Sequence, residues 1–379
     1  MRHLALIAPL VLAAAAAARG PGFWTVGFAP GTDRSSVAGL SSDGSLAVGT
    51  SYGDFPFNPG FTWTVAGGRY DFGLERGMPV TTEALGISDI GVVVGRTTPG
   101  SSKLSRPYLW PGSGPIQDLG LLPNHSRGYA AGVSGDGQIV VGDCEYSEFT
   151  DAYGQAFRWD AQGGMQGLGF LRPNGTHSKA YGISRDGSTI VGMSQSGGLL
   201  GDIEAYAWTQ AGGMKELPGL PGQSTIENFA MAVNADGSVI VGKGNGPDNY
   251  RHAVRWVDGV VEDLSPGFDH SAQALAVSGD GDIVGGRYSV NGQNFDNAFV
   301  WTPSTGIVDL EKFLTDNGVD VPGDYQLSEV YAVSGDGLTF GGLCRNLVTG
   351  QKEGFVATVP SPATVMVLLT PGFFRRRRP

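Results

Sequence analysis

Residues that could carry acid-base, metal-binding or nucleophilic chemistry are few in this sequence of 379 residues. The five histidines have no metal-ligand spacing among themselves and no obvious partner for nucleophilic catalysis; they are His3, His125, His177, His252 and His270. His125 and His177 follow Pro-Asn pairs in equivalent segments, so a shared ligand loop is one interpretation. We prefer solvated loop positions for both. The sequence therefore predicts no catalytic residue, no metal ligand and no cofactor.

Acidic side chains recur in a Ser-x-Asp-Gly motif, which resembles two ligand-binding motifs only superficially. A sialidase Asp-box has another residue between Asp and Gly. An EF-hand calcium loop needs alternating acidic ligands and a terminal Glu, and residues 280–282 (Asp-Gly-Asp) are the nearest fragment. We therefore expect the motif's aspartates to serve turns without bound metal: Asp43, Asp136, Asp186, Asp236, Asp280 and Asp336.

The motif lies within a longer repeated segment, which we call the phrase and which occurs seven times with sequence differences. At residues 132–142 it reads GVSGDGQIVVG. Successive turn glycines are separated by 47, 46, 50, 50, 44 and 56 residues, a period typical of repeat architectures. We number the repeats one to seven by these glycines, which are Gly44, Gly91, Gly137, Gly187, Gly237, Gly281 and Gly337.

Each repeat reads as four short strands. The phrase is a hairpin, for which we predict a two-residue type I′ turn with positive φ at both central residues. About twenty residues later comes an aromatic pair such as Phe61 and Trp63, then a Gly-rich turn and a short run. Core packing is the preferred role of these aromatic residues, and stacking on sugars is the alternative.

Four strands in about 40 to 50 residues predict an all-β fold, a seven-bladed β-propeller of four-stranded antiparallel blades. Residues 23–26 resemble the third and fourth strands of a repeat with no hairpin before them, and repeat seven lacks a fourth strand after residues 354–358. We expect these segments to pair, so that the N-terminal strand closes the ring. Helical spacing predicts one short helix within residues 309–317. Cys144 and Cys344 occupy equivalent positions in repeats three and seven, too far apart for a disulfide.

The two ends of the chain have a different character from the repeats. Residues 1–18 read as a secretory signal peptide, residues 19–358 as the propeller, and residues 359–379 as a sorting or anchoring segment. Without Arg2 and the four terminal arginines the formal charge changes from −11 to −16, which argues against nucleic-acid or anionic-membrane partners. The expected sorting motif consists of Val359, Pro360, Ser361, Pro362, Arg375, Arg376, Arg377 and Arg378.

The segment 152–169 (Ala-Phe-x-Trp, Gly-Gly-Met, Leu-Gly) together with 180–192 resembles the HAF-type extracellular repeats of bacterial surface proteins. The tail resembles a PEP-CTERM sorting signal, with Val-Pro-Ser-Pro in place of Pro-Glu-Pro. The resemblance implies export from a bacterium and processing by an exosortase-like enzyme. It also implies attachment to the cell envelope or extracellular matrix, with membrane contact only through the tail, and no catalytic activity.

Two functional hypotheses follow. The leading one is a monomeric, non-enzymatic surface or matrix protein whose propeller binds an extracellular polysaccharide or another surface protein. The alternative is a secreted propeller hydrolase or lyase acting on polysaccharide. Two or more carboxylates converging with Arg, His or Tyr in the central channel would favour the enzyme.

Overall fold

The computed structural model describes residues 20–53, 58–72, 81–98, 104–146, 153–196, 201–223, 225–248, 250–290 and 295–361. This part of the chain contains 28 β-strands and one α-helix. That helix is not long and apolar enough to span a membrane. The expected signal peptide and the sorting residues from Pro362 onward lie outside the described residues.

The strands fall into four classes by their order within a repeat. The first strands are β2 (Thr32–Leu40), β6 (Thr81–Ile87), β10 (Arg127–Val133), β14 (Gly175–Ile183), β18 (Phe229–Val233), β22 (Ala272–Val277) and β26 (Tyr325–Val333). The second strands are β3 (Ala47–Gly53), β7 (Val93–Thr98), β11 (Val140–Glu145), β15 (Thr189–Ser196), β19 (Val239–Asn245), β23 (Val284–Ser289) and β27 (Thr339–Asn346).

The third strands are β4 (Gly60–Thr64), β8 (Arg106–Trp110), β12 (Gly154–Asp160), β16 (Ile203–Thr209), β20 (Arg251–Val257), β24 (Phe295–Thr302) and β28 (Lys352–Thr358). The fourth are β5 (Gly68–Phe72), β9 (Gln117–Asp118), β13 (Gly164–Gly169), β17 (Gly213–Glu216), β21 (Val260–Asp263), β25 (Gly306–Asp309) and, for repeat seven, β1 (Gly22–Thr25). They pair antiparallel in this order, and a parallel bridge from Gly154 to His177 joins repeats three and four into an eight-stranded sheet.

The N-terminal strand completes the sheet of the last repeat. Phe23 pairs with Ala357 and Thr25 with Phe355, antiparallel. The Phe23 ring also stacks on Phe355 at a centroid distance of 5.8 Å. The predicted pairing of the chain ends is therefore present.

The hairpin turns differ from the predicted type I′ geometry. Among the described residues of these turns only the glycine has positive φ, for example 63° at Gly44. The Gly44 N–H donates to the Ser41 carbonyl at 2.8 Å, and the Asp43 carboxylate accepts from the Ser45 N–H at 2.8 Å. The Ser41 hydroxyl accepts from the Leu46 N–H at 3.0 Å. Ser and Asp side chains thus support a longer loop with one left-handed residue, and the aspartate serves the turn as predicted.

Backbone bonds link the turns of successive repeats. They run Asp89 N to Gly135 O, Gly135 N to Arg185 O, Asp186 N to Ala235 O, Ala235 N to Gly279 O, Gly279 N to Gly335 O and Gly335 N to Ser42 O. The Ser42 N–H in turn donates to the Asp89 carboxylate at 3.0 Å. The seventh turn is thereby bonded to the first.

The core consists of residues on the faces between adjacent sheets. The predicted aromatic positions of the third strands are fully buried: Phe61, Tyr108, Phe157, Tyr206, Phe299 and Phe355. The predicted helix is present as α1 (Leu310–Asp316), with Asp309 as its N-cap and Leu310 and Leu314 buried. Cys144 and Cys344 are buried with free thiols.

Candidate functional site

The first strands surround a central cavity of about 180 Å³ near the hairpin turns. Small and apolar residues line most of it, among them Gly39, Ile87 and Val133. Arg185 also lines this cavity, where it forms an ion pair with Asp89. The remaining charged residues of the first strands lie further from the turns.

One position of the first strand changes in chemistry from repeat to repeat. It lies eight residues before each turn glycine, and we call these residues the variable positions: Ser36, Glu83, Tyr129, Lys179, Phe229, Gln273 and Glu329. The next residue is a fully buried Ala or Val in every repeat: Val37, Ala84, Ala130, Ala180, Ala230, Ala274 and Val330. Since the rest of the phrase recurs, differences in chemistry between repeats are concentrated at this position.

A repeated glycine of the second strand fixes the backbone at each variable position. A Cβ added there would lie only 1.8 to 2.1 Å from the carbonyl oxygen of the variable residue. These glycines are Gly49, Gly95, Gly142, Gly192, Gly242, Gly286 and Gly342. A β-bulge follows in each first strand, as between Ala180 and Gly182. Close backbone approach therefore gives all seven variable residues the same register.

Repeats three and four form the densest group of ionisable residues, which we call the acid-base cluster: Arg127, Tyr129, Asp143, Glu145, His177 and Lys179. The Lys179 Nζ lies 2.9 Å from Glu145 Oε1 and 3.7 Å from Asp143 Oδ2. Arg127 forms an ion pair with Glu145, the residue opposite it across the hairpin. Asp143 and Glu145 are both buried.

The position of His177 corrects the sequence interpretation. We expected a solvated loop residue, but His177 is 3% exposed because it lies within β14. One side-chain ligand atom each from Asp143, Glu145 and His177 lie within 4.8 Å of one another. Lys179 and Arg127 already neutralise the two carboxylates, so this donor set does not favour a divalent cation.

The protonation states of the cluster suit proton transfer. Burial raises the pKa of Asp143 to about 7, although Lys179 opposes this shift. Burial lowers the pKa of Lys179, but the carboxylates of Asp143 and Glu145 raise it by more, above its usual range. A carboxyl that titrates near neutrality beside a fixed positive charge can donate or accept a proton.

Repeat two extends this network. Arg96 donates two hydrogen bonds to Glu83, at 2.8 and 2.6 Å. Its guanidinium carbon also lies 4.8 Å from the centroid of the Tyr129 ring. The cations Arg96, Arg127 and Lys179 are thus matched by three carboxylates, those of Glu83, Asp143 and Glu145.

Other residues singled out from the sequence lie elsewhere. His125 stacks on Tyr146 at a centroid distance of 3.9 Å. Buried His252 bonds to Asp263 through Nδ1 at 2.8 Å and to Asp248 through Nε2 at 3.0 Å. Val359 of the expected sorting motif is buried, and its N–H donates to the Leu338 carbonyl at 2.9 Å. This first residue of the expected tail therefore packs with repeat seven.

Sequence reasoning missed the acid-base cluster, although a signal was present. Superposing the seven repeats on their turn glycines shows invariably small apolar residues beside a position occupied by Ser, Glu, Tyr, Lys, Phe, Gln and Glu. When one position changes in chemistry between repeats while its neighbours stay the same, packing does not determine the residue at that position. Asp143 and Glu145, which contact Lys179 from the neighbouring repeat, are not marked by any such pattern in the sequence.

No protein-family model matches the chain, and no curated protein matches it in sequence. Among solved structures, the β-propeller domain of the Trilobed protease from Pyrococcus furiosus is 12% identical, with a TM-score of 0.57 over 86% of this chain and 95% of that one. Oligogalacturonate lyase from Vibrio parahaemolyticus is 15% identical, with a TM-score of 0.54 over 87% and 91%.

A prolyl endopeptidase is 10% identical, with a TM-score of 0.56 over 87% of this chain but only 51% of that one. The chain spans 65% of the length of TolB from Acinetobacter baumannii, with a TM-score of 0.45. The three likenesses with TM-scores of 0.54 to 0.57, together with the four-stranded antiparallel sheets of this chain, establish the β-propeller fold.

The comparisons overturn the leading functional hypothesis. We expected a non-enzymatic interaction scaffold, but the similar propellers include a lyase and peptidases. That hypothesis is wrong, and the findings fit the alternative, a propeller enzyme, better. Asp143 and Glu145 do lie together with Arg127 and His177, but none of these four residues lines the central cavity.

Proposed function

We propose that this chain is a propeller enzyme, a hydrolase or lyase that acts on a polysaccharide, with Asp143 as its proton-transferring residue. The acid-base cluster carries the proposal, because buried Asp143 lies beside the ion-paired Glu145 and the cation of Lys179. The cluster spans two repeats, and four of its residues lie on the first strands β10 and β14, whose opposite ends line the central cavity, while Asp143 and Glu145 lie on the adjacent second strand β11.

The cluster has the groups needed for either kind of glycosidic cleavage. In hydrolysis, protonated Asp143 would donate its proton to the leaving oxygen, and the Glu145 carboxylate would stabilise positive charge on the sugar ring. Water would then add to the ring and return a proton to the Asp143 carboxylate. In elimination, ionised Asp143 would remove the proton next to a sugar carboxylate, and Lys179 would stabilise the resulting enolate. The enolate would then expel the glycosidic oxygen, which takes the proton back from Asp143. Both routes require Asp143.

The test is cleavage of polysaccharides by the purified chain. We expect new reducing ends from one of a panel of neutral and acidic polymers, and ultraviolet absorbance of an unsaturated product if the reaction is an elimination. Asp143→Asn should lower the rate by about 10²- to 10⁴-fold, the usual contribution of a general acid or base. Asp118→Asn, on the exposed strand β9, is the matched control and should leave the rate unchanged. Cleavage of no polymer by folded protein, or full activity of Asp143→Asn, would overturn the proposal.

We also propose that the sheets form a closed ring of seven blades. The bonds between successive turns and the pairing of β1 with β28 support this arrangement. The signal-like start and the resemblance to HAF repeats and to a PEP-CTERM tail support export to the bacterial envelope or matrix. Mass spectrometry of the native protein, for cleavage near residues 18 and 359, tests this location.

A further inference from the structure

Repeats five and six hold a second group of cations. Lys243 on β19 lies directly opposite the variable residue Phe229, and its Nζ is 4.4 Å from the centroid of the Phe229 ring. Lys243 is half-buried, and no carboxylate of the described residues lies within ion-pair distance of it. A partly desolvated ammonium without an anion is energetically unfavourable.

Two other cations, whose charges act on Lys243, have carboxylate partners of their own. Arg251 bonds to Glu227 at 2.7 Å. Arg287 forms an ion pair with Glu329 and also bonds to Gln273 at 3.1 Å. Three cations thus face two carboxylates, and one positive charge is left uncompensated. The acid-base cluster with its Arg96 and Glu83 extension is balanced, so the excess is local to Lys243.

The pKa of Lys243 agrees with an excess of one positive charge in this group. Burial, followed by the charges of Arg251 and Arg287, lowers its pKa to about 8, and the charge of Glu227 opposes this shift. An anion bound next to the Lys243 ammonium would therefore lower the electrostatic energy of its charged form.

Folding does not require a cation at this position. The equivalent second-strand residues of repeats four and seven are apolar, Met193 opposite Lys179 and Leu343 opposite Glu329. The same strand geometry thus accepts Met or Leu in place of Lys. The cation–π contact with Phe229 stabilises the Lys243 ammonium in part, but it supplies no negative charge, whereas an anionic ligand would.

We propose that Lys243, together with Arg251 and Arg287, binds one monoanionic substituent of an acidic polysaccharide, a uronate carboxylate or a sulfate ester. One uncompensated charge matches one such group. Repeat five adjoins repeat four, so this anion site and the acid-base cluster lie in neighbouring repeats at the same register. The identification of the polymer as a substrate rests on the proposed function, but its binding does not.

The test is calorimetric titration of the purified chain with polygalacturonate, dextran sulfate and neutral dextran. We expect binding of at least one acidic polymer and none of dextran; the two acidic polymers separate carboxylate from sulfate. Lys243→Met should weaken binding at least tenfold, whereas Lys243→Arg should retain most of it. Lys312→Met, which removes an exposed lysine of α1, is the control and should bind as the unaltered chain does.

Lys243→Met should fold normally, because Met occupies the equivalent position of repeat four; a thermal melt checks this. Equal binding by folded Lys243→Met, or binding of dextran as tightly as the acidic polymers, would overturn the anion site. Binding of an acidic polymer through Lys243 without cleavage would uphold the anion site and contradict the proposed enzyme. If the chain cleaves a polymer and Lys243→Met changes neither KM nor kcat, the proposed enzyme is upheld and the anion site is contradicted.

Discussion

Asp143 shows how burial determines the chemistry of a single residue. Its neighbours include a cation, yet the loss of water outweighs that cation and leaves a carboxyl that titrates near pH 7. An aspartate on the protein surface, with a pKa near 4, would be ionised at pH 7. The six turn aspartates illustrate the contrast, since hydrogen bonds from serine and backbone groups occupy their carboxylates, as at Asp136.

The raised pKa of Asp143 predicts a specific dependence of stability on pH. Between about pH 4 and 7 the folded chain retains a proton that the unfolded chain has lost, so this residue makes the free energy of unfolding fall as pH rises. A rise of this pKa from about 4 to about 7 corresponds to roughly 4 kcal/mol, and the contribution should be constant above about pH 7. Asp143→Asn should remove it, which urea unfolding of both proteins from pH 4 to 8 would measure.

Asp118→Asn serves as the control for this experiment, because Asp118 is exposed. It should preserve the slope of the unaltered chain. Identical pH slopes for the unaltered chain and Asp143→Asn would show that this carboxyl does not retain its proton on folding.

At the scale of the strands, the recurring glycine of the second strand determines where the variable side chains lie. Its lack of a Cβ allows the first strand to approach and to form the bulge that follows. Val and Ile fill the preceding positions of the same strand and are buried, as Ile190 and Val191 are. The strand thus combines a packed core with one point of close backbone contact.

Gly192→Ala should destabilise the fold by at least about 2 kcal/mol, as overpacking against rigid backbone does. The new Cβ would lie 1.9 Å from the Lys179 carbonyl oxygen and 2.9 Å from Tyr206 Oη. Gly323→Ala is the matched control, since no atom lies within 4 Å of its added Cβ. Thermal unfolding should show a clear drop for the first variant and almost none for the second. Equal melting temperatures would contradict this account of the glycine.

At the scale of the whole molecule, stacking of sheets creates the buried environments. Cys144 packs between repeats two and three, and Cys344 packs between repeats six and seven. Both thiols are shielded by neighbouring sheets, and burial raises the pKa of each to about 12. Low thiolate population and poor access both suppress their reactivity.

We therefore expect neither thiol to react with a thiol reagent in the native protein near pH 8. Two equivalents should react after denaturation without reductant, because each cysteine belongs to a different sheet. Spectrophotometric titration of thiols in native and denatured protein measures both numbers. Rapid reaction of the native protein would show that the sheets open, and fewer than two equivalents on denaturation would reveal a disulfide.

Much of the architecture was determined by the sequence itself. The phrase around each Asp-Gly step, the aromatic residues of the third strands and the spacing of Leu310 and Leu314 are local signals, and strands, core and helix follow them. The incomplete chain ends predicted the pairing of β1 with β28. The turn type was predicted wrongly, because Ser-x-Asp-Gly suits both a two-residue turn and a longer loop with one left-handed glycine.

Only the tertiary structure decided the chemistry. Asp143 and Glu145 come from repeat three, whereas His177 and Lys179 come from repeat four, and packing of one sheet on the next brings them together. Burial then raises the pKa of Asp143 and lowers that of Lys243. Local sequence patterns record neither effect, because desolvation depends on which surfaces meet when the repeats assemble.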